Sequence, residues 1–214
     1  MADATLPEVY LLQIWIRQIS PMIWRRILVR DESTLADLHH SIQIAFGWTD
    51  FHLHRFRIHG RDSGVGRSGG PTYSRDARQV RLDSFQFRSN ERSLYEYDFR
   101  DAWQHEVRVE RRLAAEPRRP DPVGIGGRRA VPPEDCGGPW AFLERRDAVP
   151  RQVREHLERI LEGVDAGDLD AIRDELDAVE SEREWLTLDR FDRRAVNRRL
   201  RLDAAGDERW RQEL

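Results

Sequence analysis

The alternation of apolar and polar side chains predicts that the first half of the chain forms a β-sheet. Segments rich in β-branched and aromatic residues indicate five strands, at 9–18, 22–30, 52–59, 93–99 and 103–111. Ser20-Pro21 separates the first two segments and is typical of a turn in an antiparallel hairpin. In the last segment one face is formed by Trp103, His105, Val107 and Val109 and the other by Gln104, Glu106, Arg108 and Glu110, which indicates a half-buried antiparallel strand.

A helix is predicted over residues 34–46. Ser33 or Thr34 supplies the N-cap, and Asp37 places a carboxylate near the positive end of the helix dipole. Gly47 is placed to end the helix. One apolar stripe follows the helical spacing: Leu35, Leu38, Ile42, Ala45 and Phe46.

Two segments, 60–79 and 113–139, are rich in Gly, Pro, Ser and Arg and are predicted to be irregular. From Phe142 onward the apolar spacing is helical. We therefore predict an α+β fold, with a mainly antiparallel sheet of about five strands packed on one helix and a helical C-terminal third. The expected division is a sheet domain, 8–140, and a helical segment, 141–214, packed on the same domain.

Composition narrows the classes of protein that remain possible. The 214 residues are 39% hydrophobic and 35% charged, with a mean hydropathy of −0.75, which is typical of a soluble protein. The apolar run at 9–16 is far shorter than the roughly 20 residues that span a bilayer, so no membrane association is expected. Cys136 is the single cysteine, which favours a cytoplasmic location. The pI near 6.2 argues against a general nucleic-acid coat, although a local basic face stays possible.

Imidazoles and carboxylates recur along the predicted strands. Two histidines separated by one residue on a strand face suit metal ligation, and a carboxylate would complete a three-ligand set. The metal-ligand candidates are His52, His54, Asp98 and His105. The alternative is that these are histidines at the edge of the core, hydrogen-bonded to carboxylates. If the histidines lie at the edge of the core, no cofactor is expected. If they are metal ligands, the cofactor is a divalent metal.

The sequence Trp24-Arg25-Arg26 combines an indole with two guanidinium groups. Such a combination contacts phosphates or stacks on bases. On a strand Arg25 faces away from its two neighbours, so at most one arginine shares the face of Trp24. The alternative is internal ion pairing, for which the available carboxylates are Asp98, Asp101, Glu134 and Asp135.

Five motifs in order resemble those of a known family. They are ISPMIWRR at 19–26, LHHSIQIAFGW at 38–48, HLHRF at 52–56, YEYDFRDAWQH at 95–105 and PPEDCGGPW at 132–140. The chain resembles, over roughly 8–200, the plasmid pRiA ORF-3-like family, which includes passenger proteins of insertion elements. The resemblance implies an α+β fold and a mobile-element context, and it implies no activity. Arg100, Gly124 and Val131 depart from the Gly, Cys and Cys that family members often carry there.

The function predicted is that of a non-catalytic accessory or interaction protein linked to plasmids or transposable elements. The expected partner is a protein or a nucleic acid, and the identity of that partner is open. The predicted contact surface comprises Trp24, Arg25, Arg26, His39, Trp48, Tyr97, Asp101, Trp103, Glu134 and Asp135. The alternative is an enzyme, a metal-dependent hydrolase or nuclease that uses the His/Asp cluster to activate water.

Overall fold

The computed structural model describes residues 8–66, 70–116 and 121–212. The strands are β1 (Glu8–Ile16), β2 (Trp24–Arg30), β3 (His54–Ile58), β4 (Arg61–Gly64), β5 (Arg75–Asp76), β6 (Arg92–Tyr97), β7 (Trp103–Ala114) and β8 (Val123–Arg128). The helices are α1 (Leu35–Phe46), α2 (Gly138–Ala166), α3 (Leu169–Ser181), α4 (Arg183–Leu186) and α5 (Arg193–Ala204). The strands form one sheet in the order β5-β4-β3-β6-β7-β1-β2-β8, in which only β4 and β5 run parallel to each other.

The mixed α and β composition agrees with the prediction, but the estimate of about five strands is wrong. The five predicted strands correspond to β1, β2, β3, β6 and β7. The structure adds β4, β5 and β8 within the two segments predicted to be irregular. Residues 67–69 and 117–120 of those segments lie outside the described residues.

The edge strand β8 shows why the Gly-rich composition was misleading. Gly124 donates its N–H to Asn197 Oδ1 over 2.7 Å and accepts from Asn197 Nδ2 over 2.9 Å. A Cβ atom on Gly127 would lie 2.7 Å from the ring of Phe191. Glycine, which usually weakens a strand, is used here because α5 and the segment before it pack directly on the strand backbone.

Helix α1 begins and ends as the sequence predicts. Thr34 Oγ1 accepts from the backbone N–H of Asp37 over 3.1 Å, while the Asp37 carboxylate accepts from the N–H of Thr34 over 2.8 Å. This reciprocal pair is a capping box. Gly47 follows the helix with φ 72°, a conformation that favours glycine.

Two buried arginines hold the C-terminal end of α1. Arg25 donates to the carbonyl oxygen of Ala45 over 2.7 Å, and Arg199 donates to that of Trp48 over 3.2 Å. Burial lowers the pKa of Arg25 to about 9. Arg25 satisfies a carbonyl group of the last turn of α1, at the negative end of the helix dipole, and Arg199 satisfies one just beyond the helix. Arg25 is therefore part of the framework of the fold.

Within the helical third, α2, α3 and α4 join the core through a few large side chains only, whereas α5 packs on β8. Phe142, Val149 and Trp185 are buried in the main core. Farther along α2 the apolar side chains become exposed, and none of the thirteen residues of α3, all of them described, is buried. Among the described residues, no helix is both long enough and apolar enough to cross a membrane.

Candidate functional site

Three loops meet at one end of the sheet, and we call them together the rim. They are the segment between α1 and β3 (47–53), the turn between β6 and β7 (98–102) and the segment between β8 and α2 (129–137). The pairing of Tyr97 with both His54 and Trp103 brings the first two loops together. The third loop reaches them through hydrogen bonds from its own side chains and backbone.

Glu134 joins the third loop to the other two. Its Oε2 accepts from the N–H of Thr49 over 3.1 Å and from Thr49 Oγ1 over 2.5 Å. Its Oε1 accepts from the hydroxyl of Tyr97 over 2.6 Å. Both oxygens of this carboxylate are thus occupied by partners within the protein. Its role in this arrangement is to position the loop that carries Asp135.

A second connection runs from the turn after β6 to the start of α2. The Asp101 carboxylate accepts from the N–H of Gly137 over 2.9 Å. Gly138 has φ 81°, and a Cβ atom there would lie 2.4 Å from the carbonyl oxygen of Asp101. Only glycine allows the two backbones to approach so closely. The glycines of the PPEDCGG motif therefore fix where Asp135 lies relative to Asp98.

The rim brings His52, Asp98 and Asp135 together, and we call this group the His52 triad. His52 Nε2 lies 3.1 Å from Asp135 Oδ1 and 3.7 Å from Asp98 Oδ2. One potential ligand atom from each residue lies within 4.8 Å of the other two. The side chain of Asp98 is buried, that of His52 is partly buried, and that of Asp135 is exposed. The triad therefore opens to solvent on the side of Asp135.

A second imidazole–carboxylate group consists of His39 and His40 on α1 and Asp50 in the loop after it. His39 contacts Tyr95 Oη through Nδ1 over 2.8 Å and Asp50 Oδ1 through Nε2 over 2.6 Å. His40 Nε2 lies 3.8 Å from the same carboxylate of Asp50. Burial would raise the pKa of Asp50, but the His39 hydrogen bond and the charges of His39, His40 and His54 lower it overall. The hydrogen bonds of His39 give this group a structural explanation.

The remaining two metal-ligand candidates belong to neither group. His54 is the first residue of β3, and its ring stacks on that of His39 with centroids 3.5 Å apart. His52 precedes the strand, so the period-two rule does not apply to the pair. His105 is fully buried against Phe46 and Trp48, and burial lowers its pKa to about 3. The structure does not bring His54 and His105 to the His52 triad.

Several residues of the predicted contact surface are buried. The Trp48 ring stacks on that of Tyr97 and contacts that of Trp103 in the core, and Trp48 Nε1 donates to the carbonyl oxygen of Pro132 over 3.0 Å. Arg25, His39 and Asp101 are also buried. Their contacts are internal, and Glu134 and Asp135 remain the contact candidates nearest to solvent at the rim.

Trp24 and Arg26 lie on the face of the sheet opposite to α1. Arg26 makes a two-pronged ion pair with Glu110, with N–O distances of 2.8 and 2.9 Å, and its guanidinium lies over the ring of Trp24. An internal ion pair was one of the two alternatives predicted from the sequence. The partner of Arg26 is, however, none of the four carboxylates proposed in the sequence analysis. Glu110 was missed because it lies two strands away, on β7, and is brought close only by the strand order.

Other residues of the site were missed as well. Thr49 and Asp50 lie in the loop after α1, where Thr49 binds Glu134 and Asp50 binds His39. The only local signal was a pair of polar residues after a helix-ending glycine, which is a common feature of any turn. Gln43 was also overlooked, although it donates to Tyr95 Oη over 2.8 Å from within the apolar stripe of α1.

The fold and the rim define the chain as a mixed α and β protein with a polar site built from three sheet-end loops. It belongs to the family of plasmid pRiA4b ORF-3-like proteins, whose family model matches residues 8–199. It is 34% identical over 172 residues to the uncharacterized protein y4hQ of Sinorhizobium fredii (strain NBRC 101917 / NGR234), covering 75% of this chain and 82% of y4hQ. It is also similar to the crystal structure of MM3350, a protein of unknown function from Methanosarcina mazei Go1. The TM-score is 0.64 at 31% identity, covering 89% of this chain and 97% of MM3350.

Proposed function

We propose that the chain is a non-catalytic accessory protein that binds a protein partner through the hairpin formed by α2 and α3. The observation that carries this proposal is an apolar strip on the hairpin, whose side chains are between 50% and 74% exposed. Its members are Leu157, Leu161, Val164, Leu169 and Leu176. An exposed apolar surface of this kind marks an interaction site more often than a scattered leucine does.

The strip is continuous because both helices contribute to the same flank. Leu157, Leu161 and Val164 follow the spacing i, i+4, i+7, and Leu169 and Leu176 are seven residues apart, so each set lies along one helix face. The contact of Gly163 with Ile172 and the pairing of His156 with Glu175 fix the antiparallel register of the two helices. In this register Val164 lies opposite Leu169, and Leu157 lies opposite Leu176.

The charge around the strip favours a basic partner. Residues 155–184 carry twelve acidic side chains against three arginines. A second copy of the chain would bring two acidic hairpins together, and a nucleic acid would add further negative charge. We therefore assign the strip to a basic amphipathic helix of a partner protein, which would lay its apolar face along the hairpin.

The cellular context of this proposal follows the family. The family takes its description from a plasmid gene product, which supports a role linked to plasmids or transposable elements. A free thiol at Cys136 is consistent with the cytoplasm. The metal-dependent hydrolase or nuclease stays a prediction from the sequence, since none of the relatives described above carries an assigned activity.

Fluorescence anisotropy with a labelled model peptide tests the proposal. The probe is a 20-residue helix with leucine at positions i, i+3, i+4 and i+7 and lysine elsewhere. We expect binding that weakens as salt is raised, and at least a tenfold loss of affinity in Leu161→Ser/Leu169→Ser. Leu186→Ser is the control, because Leu186 is similarly exposed but lies on α4.

Three results would overturn the assignment. The first is that the folded protein does not bind the lysine peptide. The second is that a peptide with glutamate in place of lysine binds equally well, which would remove the charge argument. The third is that sedimentation equilibrium detects a dimer of the parent protein that the double serine variant loses. In that case the strip is the interface between two copies.

A further inference from the structure

We propose that the His52 triad is a binding site for one divalent transition-metal ion, of the class to which Zn²⁺ belongs. The proposal concerns the rim, which the proposed partner-binding hairpin leaves free. It rests on the donor set, on the state of the His52 nitrogen, and on the network that holds the three residues in place.

The spacing of the donors suits a single ion. Ligands about 2.0–2.2 Å from a tetrahedral Zn²⁺ lie roughly 3.3–3.6 Å from one another. His52 Nε2 is 3.1 Å from Asp135 Oδ1 and 3.7 Å from Asp98 Oδ2. Small side-chain adjustments would place an ion in contact with all three donors. Three protein ligands leave a fourth position, which faces solvent beside the exposed Asp135.

The nitrogen of His52 has no better partner in the structure. Nε2 is shielded from solvent, yet it makes no hydrogen bond of acceptable geometry among the described residues. Two carboxylates are close to it, so an ion pair alone would be expected to align one of them with the N–H group. An ion bound between the three side chains would supply this nitrogen with the partner that it lacks.

Asp98 is held with one oxygen free to face that centre. Its side chain is buried, and its Oδ1 accepts from the backbone N–H groups of Arg100 and Asp101 over 3.1 and 3.4 Å. Its Oδ2 is the oxygen that faces His52. Asp98 itself has φ 52°, a conformation that aspartate tolerates better than most residues.

The surrounding hydrogen bonds fix the three ligands before any ion binds. The hydroxyl oxygen of Tyr97 accepts from the N–H of His52 over 3.3 Å and donates to Glu134, the neighbour of Asp135. Asp101 in turn holds the N–H of Gly137, two residues after Asp135. Metal sites are commonly supported by such an outer layer of hydrogen bonds, which lowers the cost of assembling the ligands.

The ligand set also indicates which ions bind. One imidazole and two carboxylates suit ions of intermediate softness, such as Zn²⁺ and Fe²⁺. Mg²⁺ prefers an all-oxygen octahedron with several waters and gains little from an imidazole. The second group, His39–His40–Asp50, is a poorer site because His39 already uses both ring nitrogens in hydrogen bonds.

Calorimetric titration of tag-free, full-length protein, stripped with EDTA and desalted, tests the proposal with ZnCl₂. We expect one equivalent to bind, and Co²⁺ to give the visible absorption bands of a low-symmetry site. Asp135→Asn should weaken Zn²⁺ binding at least about tenfold, since even outer-layer changes commonly cause losses of that size. Asp135 is exposed, so this variant keeps the proposal testable even where His52→Ala folds poorly.

His40→Ala is the matched control, because it removes an imidazole of the second group and none of the three proposed ligands, so it should leave Zn²⁺ affinity unchanged. The proposal is overturned when the folded parent protein binds neither Zn²⁺ nor Co²⁺. It is equally overturned when Asp135→Asn and His52→Ala bind as the parent does, or when His40→Ala abolishes binding. Mg²⁺ binding of equal affinity would contradict the assignment to a transition metal.

Discussion

Tyr97 donates a hydrogen bond of 2.6 Å to Glu134 and so joins the end of β6 to the loop that precedes α2. The same phenol oxygen accepts from the N–H groups of Phe51 and His52. Burial, and then the carboxylate of Glu134, raise the pKa of Tyr97, so its hydroxyl stays protonated and remains a donor. This one side chain therefore connects two loops of the rim and immediately precedes the third.

Tyr97→Phe should destabilise the protein by about 1–3 kcal/mol, because it leaves a partly buried carboxylate oxygen and two N–H groups without their partner. Urea unfolding measures the loss. Glu134→Gln and the double variant complete a double-mutant cycle. A coupling energy near zero between positions 97 and 134 would show that the hydrogen bond does not contribute.

Arg25→Lys should cost about 2–4 kcal/mol of unfolding free energy. Arg25 donates to three carbonyl groups in a buried position, and a lysine cannot reproduce the planar geometry. Arg26→Lys is the control on the same strand, since its ion pair with Glu110 is partly exposed and should contribute about 1 kcal/mol or less. Equal losses in the two variants would contradict the framework role of Arg25.

Gly138→Ala should displace the start of α2. It should also lower the free energy of unfolding by more than the cost of placing an alanine in a left-handed conformation. The added Cβ would meet the carbonyl oxygen of Asp101 at 2.4 Å. Gly60→Ala is the control, because Gly60 has a similar positive φ with no atom near the added carbon, and we expect a cost of about 1 kcal/mol there. Thermal unfolding of both variants gives the comparison, and a loss at Gly138 no larger than at Gly60 would count against the close approach.

His105 should make the protein less stable in acid. Its pKa is about 3 in the folded state because of burial, whereas an unfolded histidine titrates near 6.5. Between these values only the unfolded state binds the proton, so stability falls as the pH drops from about 6.5 towards 3, by up to about 1.4 kcal/mol per pH unit. Urea unfolding across this range measures the slope.

His105→Leu should remove this contribution and give a shallower pH dependence than the parent. Val107→Ala is the control, since Val107 is the next inward-facing residue of β7 and its truncation lowers stability while His105 remains. An unchanged slope in His105→Leu would mean that His105 is not buried in its neutral form.

The elements that the sequence predicted well are those in which local signals agree. The β-branched and aromatic residues of β1 and β2, the alternation in β7 and the Thr34 cap of α1 require no knowledge of distant residues. Strand β8 could not be predicted this way, because three of its six residues are glycines. Their fitness for a strand depends on Asn197 and Phe191, about 70 positions away.

Several residues of the rim could be predicted from the sequence, but their grouping could not, because it depends on contacts between distant segments. His52, Asp98, Glu134 and Asp135 were all named from the sequence, but the period-two rule grouped His52 with His54. The rule holds only inside a strand, and β3 begins at His54. The burial of Trp48 and Tyr97 was missed because aromatic residues in polar motifs suggest a contact surface, and only the packing of α1 on the sheet shows that they fill the core.

Anomalous scattering at the zinc edge, from crystals grown with Zn²⁺, tests most directly whether the three loops of the rim form one metal site. We expect a single strong peak about 2.0–2.2 Å from His52 Nε2 and from one carboxylate oxygen each of Asp98 and Asp135. A map with no peak at the His52 triad, or with its main peak at His39, His40 and Asp50, would contradict it.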